Sequence, residues 1–225
     1  MSPSRDLRPM AFGRRQPRQI ANPLCEPLWF GRRVLLEISG PVVEIKDEAG
    51  EPMAGYDDLR AAALASGRAA ELVADGYLLP APLRDTVGIA IETGMDAIPT
   101  PSERGRRLFV GSAGRKRREA LENAEARRVA VPPTAPTAFV AVDLLWLDGQ
   151  SLLDVPLQER KRLLDSALEE HELIRRTVVV RPPVEGWFAQ WKALGFREIA
   201  FKAANSRYEP GAISRDWATA PIPRR

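Results

Sequence analysis

Runs and alternations of apolar side chains divide the chain into short strands and a few helices. Val34-Leu35-Leu36-Glu37-Ile38 and Val42-Val43-Glu44-Ile45 predict two strands joined by a Gly40-Pro41 turn, and the Gly50 region predicts a second turn. Asp57 or Asp58 is placed to cap a short alanine-rich helix that stops at Gly67. Residues 71–79 read as another strand, interrupted at Asp75-Gly76, and residues 87–91 as a weaker one. Residues 139–145 form an apolar strand run that closes in a turn over 146–149. Pro156 suits the first turn of a helix on which Leu157, Leu164 and Leu168 recur at helical spacing. Residues 178–180 predict a strand, 186–194 a short helix carrying Trp187, Phe188 and Trp191, and 199–202 a final strand. Strands and helices do not alternate regularly, so the expected class is α+β rather than a doubly wound parallel sheet.

Two stretches break this pattern. Residues 1–20 carry Arg5, Arg8, Arg14, Arg15 and Arg18 against a single acid, Asp6, and predict a flexible basic arm, with order beginning near Pro23. Residues 96–136 are the least core-like. Arg115-Lys116-Arg117-Arg118 opens a predicted helix there, preceded by Arg104, Arg106 and Arg107 and offset by Glu119, Glu122 and Glu125. The plain reading is a solvated helix with internal ion pairs. The sharper reading makes Arg14, Arg15, Arg115, Lys116, Arg117 and Arg118 a nucleic-acid-facing surface. The implied organisation is a basic arm over 1–20, one domain over 21–220 and a tail over 221–225.

Composition narrows the class. A chain of 225 residues with 44% hydrophobic content can bury one substantial core, in two lobes at most. A net charge of +3 with a pI near 9.3 permits contact with nucleic acid without requiring it. No apolar run approaches bilayer length and the arginine-rich start is not a secretory signal, so no membrane association is expected. The single cysteine, Cys25, rules out an internal disulfide and fits a reducing cytoplasm. One histidine, His171, among charged residues argues against a zinc site.

Two longer segments carry a resemblance. Residues 139–154 read Phe-Val-Ala-Val-Asp-Leu-Leu-Trp-Leu-Asp-Gly-Gln-Ser-Leu-Leu-Asp, and residues 205–217 contain Asn-Ser-Arg-Tyr-Glu-Pro-Gly followed by Ser-Arg-Asp-Trp. Both resemble the adenylation domain of bacterial ATP-dependent DNA ligases: the aromatic-rich strand with its Leu-Asp-Gly turn, and the Ser-Pro-Tyr-x-Pro-Gly and Ser-x-Asp-Trp segments before the last adenylation motif. The resemblance spans roughly residues 21–220. It implies a two-lobed, mainly antiparallel-sheet nucleotidyltransferase fold, ATP-grasp-like. The OB domain into which an active ligase continues is not expected within this chain.

The family's chemistry-bearing positions can then be located. The nucleotide-attachment motif, Glu-Pro-Lys-x-Asp-Gly-x-Arg in the family, reads Glu26-Pro27-Leu28-Trp29-Phe30-Gly31-Arg32-Arg33. Leu28 replaces the nucleophilic lysine and Phe30 the aspartate, while Gly31 and Arg33 match. The Asp-Gly-Glu motif appears as Asp75-Gly76-Tyr77, and Val142 takes the place of the adenine-stacking aromatic. Arg197-Glu198 replaces the Glu-Gly pair of the fourth motif, with Lys202 kept at its end. Two lysines after the tryptophan are absent from Ala218-Thr219-Ala220-Pro221.

Leucine has no lone pair with which to attack an α-phosphate. Tyr77 and Arg197 replace the carboxylates that a magnesium ion would use, and the transferring phosphate loses its lysine donors. Leu28, Phe30 and Tyr77 are expected to fill the old pocket and stabilise the domain by burial. Of the five lysines, Lys116, Lys161 and Lys192 are expected on exposed helices and Lys46 at a strand end, leaving Lys202 near the pocket. No cofactor is then expected. The favoured reading is a catalytically degenerate, non-enzymatic DNA-repair or DNA-end-handling module that binds DNA or a repair partner. The alternative is a divergent ligase or nucleotidyltransferase that retains activity on ATP and magnesium, alone or with a partner chain.

Overall fold

A computed structural model of the chain describes residues 6–80 and 137–223. The elements in order are β1 (Pro23–Pro27), β2 (Arg32–Ser39), β3 (Val42–Lys46), α1 (Asp57–Ser66), β4 (Glu71–Pro80), β5 (Thr137–Leu147), β6 (Gln150–Ser151), α2 (Leu157–Ala167), β7 (Ile174–Arg176), α3 (Phe188–Ala193), β8 (Glu198–Ala203) and β9 (Trp217–Pro221). Short 3-10 turns at Pro17–Gln19 and Glu185–Trp187 complete the set.

The larger sheet runs β3-β2-β4-β5-β6, with β7 joined parallel to β5, and a smaller sheet runs β1-β8-β9. All other pairings are antiparallel, so the fold is α+β and mainly antiparallel. The hairpin between β2 and β3 turns at Gly40, whose φ of 55° suits a residue without a Cβ. The run Val34-Leu35-Leu36 is apolar without alternation because both faces of β2 are covered. Val34, Leu36 and Ile38 pack with Leu59 and Ala63 of α1 and Leu164 of α2. Leu35, on the other face, packs with Met10, Tyr208 and Trp217. A third cluster joins the two sheets: Cys25 and Ile199 meet Leu79, Ala138, Val140 and Val142, with Trp29, Trp191 and Phe196 between them.

Helix α2 begins where Pro156 withdraws a donor, and the free amides of Leu157 and Gln158 donate to the carbonyls of Ser206 (3.0 Å) and Ala204 (2.9 Å). That contact ties α2 to the end of β8.

Several expectations are corrected. The arm is not free over 6–20: Leu7 and Met10 are buried, and the backbone of Ala11 exchanges hydrogen bonds with Ala212 and Ser214. Sparse apolar residues in a basic stretch conceal the fact that Leu7, Met10 and Phe12 enter one cluster of the core. The tail is likewise anchored, since Pro221 ends β9 and Ile222 is buried beside Trp191 and Phe196. Strand β4 is continuous through Asp75-Gly76; register shifts against β5 occur at Val73/Ala74 and Asp75/Gly76. The strand expected at 178–180 is replaced by β7 upstream, with only Val180 bridging Cys25. The strand at 199–202 is not the last, because β9 follows it. Asp57 and Asp58 lie inside the first turn of α1 rather than capping it, where their charge still suits the helix start. Residues 87–91 and the 104–128 basic stretch lie outside the described residues.

Candidate functional site

The polar chemistry of the molecule gathers on one face of the larger sheet and on the neighbouring face of the smaller one. Arg33 on β2 reaches Asp75 on β4 with a two-pronged fork, Nε to Oδ1 at 2.9 Å and Nη2 to Oδ2 at 2.6 Å. The Tyr208 hydroxyl donates to the same Oδ2 at 2.7 Å, and itself accepts from the Met10 amide at 2.9 Å. The Arg33 guanidinium also lies 5.6 Å from the centre of the Tyr77 ring. Burial by itself would lower the Arg33 pKa, but Asp75 outweighs it and holds the guanidinium well above its usual value. Burial first, and then Asp75, push the Tyr208 phenol up in the same way, so it serves as a fixed donor.

A second fork lies beside it. Arg160 on α2 meets Asp143 on β5 through Nε to Oδ1 and Nη2 to Oδ2, both at 2.8 Å, with both side chains fully buried. Its remaining donors reach the carbonyls of Val155 (2.5 Å) and Ser206 (3.0 Å). Burial would raise the Asp143 carboxyl; Arg160 reverses this and holds it below the usual carboxylate range.

The third group centres on Glu26 of β1. Its Oε1 is 2.8 Å from Lys202 Nζ, and its Oε2 accepts from Lys161 Nζ at 3.1 Å. Burial again opposes ionisation, and the two ammonium groups together hold the Glu26 carboxyl down. Lys202 further lies 4.6 Å from the Trp217 ring centre and 5.8 Å from that of Phe12. Trp217 is held in place by its indole N–H, which donates to the Ser206 hydroxyl at 3.0 Å. Lys202 is therefore engaged in a buried salt bridge.

One other lysine departs from expectation: Lys161 is buried rather than exposed. Lys46 ends β3 as expected, and is buried there against Glu37 (2.9 Å) and Glu44 (3.1 Å). Positions 157, 160, 161, 164 and 168 fall on one face of a helix, so the leucine spacing that predicts α2 also turns Arg160 and Lys161 inward. That signal was available in the sequence. Nothing local marks Glu26 as the acceptor for Lys161 or Tyr208 as the donor to Asp75.

The pocket positions behave differently. Leu28 and Phe30 are half-buried and join none of the three clusters, whereas Tyr77 packs against the cluster between the sheets. The reason lies next door. Trp29 is the side chain turned inward, with its indole donating to the Thr177 hydroxyl at 2.8 Å and its ring edge-on to Phe196 at 4.8 Å. The Leu28 amide donates to the Glu198 carbonyl at 3.0 Å, which fixes the backbone at that position. Val142 is buried in the same cluster as Tyr77, at the register shift on β5. Arg197 is exposed, and Thr219 lies half-buried on β9 opposite Ala200. Arg14 and Arg15 are exposed, Arg15 lying 3.9 Å from Asp216. Arg115, Lys116, Arg117 and Arg118 lie outside the described residues.

Matching glycines are explained by packing. A Cβ on Gly76 would stand 2.4 Å from the Val140 carbonyl oxygen and from the Phe139 ring, and one on Gly31 would stand 2.3 Å from the Leu78 carbonyl oxygen. Cys25 offers no substitute nucleophile, because burial and then Glu26 push its thiol up to about 12. Among the described residues no three His, Cys, Asp or Glu side chains cluster as a metal site. The buried carboxylates of Glu26, Asp75 and Asp143 are each engaged by a cationic side chain, so this donor set does not suit a divalent ion.

Comparisons with known proteins agree with this architecture. A DNA ligase of Methanothrix thermoacetophila is 31% identical over 132 residues, which is 58% of this chain and 21% of that protein. The multifunctional non-homologous end joining DNA repair protein LigD of Mycobacterium tuberculosis is 28% identical over 195 residues, 85% of this chain and 20% of that protein. The crystal structure of the ligase domain of M. tuberculosis LigD superposes with a TM-score of 0.62 at 24% identity, covering 96% of this chain and 59% of that one. The chain thus spans about a fifth of the curated relatives' length. The family model for the ATP dependent DNA ligase domain matches residues 102–219, more than half of the chain. With the two sheets and the motif positions above, that match places the chain in the ATP-dependent DNA ligase domain family.

Proposed function

We propose that this chain is a catalytically degenerate member of the family, a non-enzymatic module that serves DNA repair or DNA-end handling by binding DNA or a repair partner. The observation that carries the reading is the fate of the attachment motif. Leu28 stands at the nucleophile position with its backbone fixed to β8, and the next residue, Trp29, is locked into the core. A side chain without a lone pair cannot form a lysyl-nucleotide, whatever else surrounds it. The charged groups retained from the family pattern support the same reading, since Arg33 and Lys202 are engaged by Asp75 and Glu26. In this reading ATP and magnesium are not cofactors of the chain. DNA is the natural partner class, given the exposed Arg14 and Arg15 and the relatives' printed roles in ligation and end joining.

Incubation with ATP and magnesium followed by intact-mass measurement tests this directly. The expected result is an unchanged mass. A stoichiometric gain of one AMP overturns the reading in favour of a divergent nucleotidyltransferase. Peptide mapping of the adduct to Lys161 or Lys202 then identifies a relocated nucleophile.

A further inference from the structure

A cleft of about 370 Å³ opens between α2 and the segment that follows β7, with Leu28 outside its lining; it stands independently of the degenerate-ligase reading. Gln158, Lys161, Arg162 and Asp165 line one wall, at the spacing of a single helix face. Arg176, Thr177 and Arg181 line the other, and Leu24, Leu164 and Val179 provide an apolar floor. The volume lies within the range of small-ligand sites, and the mixture of apolar floor and convergent polar groups is typical of them.

Charge on the walls does not balance. Lys161 shares the one carboxylate of Glu26 with Lys202. Arg162 meets Glu159, Arg176 meets Asp165 and Glu170, and Arg175 meets the same Glu170. Arg181 donates to amide oxygens only, those of Asn22 at 2.9 Å and Gln158 at 3.3 Å. Counting the wall cations Lys161, Arg162, Arg176 and Arg181 with the ion-pair network behind them, six cations meet four carboxylates among the described residues, a surplus of two positive charges. The Thr177 hydroxyl accepts from Trp29, which leaves its own proton free to donate. Burial, reinforced by Lys202, lowers the Lys161 pKa despite Glu26, and an arriving anion would relieve that penalty.

We infer that this cleft binds an organic phosphate monoester, its dianionic phosphate between Lys161, Thr177 and Arg181 and its apolar part on Leu24, Leu164 and Val179. Two surplus charges match the two charges of a phosphate monoester, and an arginine fork suits its oxygens.

Titration calorimetry of the full chain at low salt with phenyl phosphate tests the site, with benzyl alcohol and inorganic phosphate as the comparison ligands. Saturable one-to-one binding of phenyl phosphate is expected, with no binding of the alcohol and weaker binding of inorganic phosphate. Arg181→Gln, at an exposed position, should weaken binding by about tenfold or more, the scale of a charged hydrogen bond. Lys161→Met should abolish binding, with circular dichroism checking that the variant folds. Arg215→Gln, at an exposed position outside the cleft lining, should leave binding unchanged. Absence of saturable binding, or binding indifferent to Arg181→Gln, overturns the site. Equal affinity for inorganic phosphate overturns the role given to the apolar floor.

Discussion

The polar face of the larger sheet and the space between the two sheets treat the family's motif positions in opposite ways. On the polar face, Arg33, Asp75 and Asp143 keep their charges, and each is held by a complementary fork or hydroxyl at 2.6–2.9 Å. Between the sheets, Tyr77 and Val142 belong to an apolar cluster with Trp29, Trp191 and Phe196. A buried charge persists where a rigid partner fully satisfies it, and removing one member leaves an expensive orphan. An uncharged pocket position carries no such constraint and drifts toward packing. The difference teaches that retained charges here are evidence of architecture, while the chemistry must be judged from Leu28 and its neighbours.

The largest expected effect comes from breaking a fork. Arg160→Leu strands a fully buried Asp143 and should destabilise by about 3–5 kcal/mol. Urea unfolding measures it, and the double variant Asp143→Leu/Arg160→Leu should recover part of the loss because no carboxylate is then left unpaired. A loss below about 1 kcal/mol would mean that the pair is solvated. The same carboxylate shapes acid behaviour. Its pKa is depressed in the folded state, so below the unfolded value of about 3.9 the unfolded chain takes up protons first. The pair's stabilisation is present above that pH and is lost as pH falls through the folded pKa. Asp143→Asn should therefore flatten the acid limb of the stability profile.

A smaller effect is expected between the sheets. Val142→Phe restores the family's aromatic ring into a packed cluster and should cost about 1–3 kcal/mol by overpacking, without gain of ATP affinity in thermal-shift measurements. A neutral or stabilised variant would show that room for a ring survives there, and the contrast between the two regions would narrow. The smallest effect belongs to Leu28→Lys. At a half-buried position outside the clusters it should change stability by about 0.5 kcal/mol or less, and should still yield no AMP adduct by mass. Adduct formation in this variant alone would mean that the remaining groups, Arg33 and Lys202 among them, still support the chemistry.

Much of this molecule was legible from local pattern. The β2–β3 hairpin, α1, the long strand β5 with its turn at Gly149, and α2 follow from periodicity and turn residues, because apolar spacing and turn chemistry are written in consecutive residues. The family was equally legible, since the resemblance over residues 139–154 and 205–217 is carried by consecutive residues. What escaped depends on distant partners. Strand β1 contains two prolines and no alternation, yet pairs with β8, 176 or so positions away, on the register that sets Leu24 opposite Lys202. The N-terminal basic stretch is fastened by Met10 to Tyr208, 198 residues on.

Sequence by itself determined the α+β class and the family, because strand alternation, turn chemistry and motif identity are written in consecutive residues. Only the tertiary structure decided where the charges go. Lys161 and Glu26 are 135 residues apart, and whether a lysine is solvated or buried rests on a carboxylate delivered by another element. Helical spacing can turn Lys161 inward, but it cannot supply the partner. Burial energy is set by the whole environment of a group, and that environment exists only once both sheets and α2 have come together.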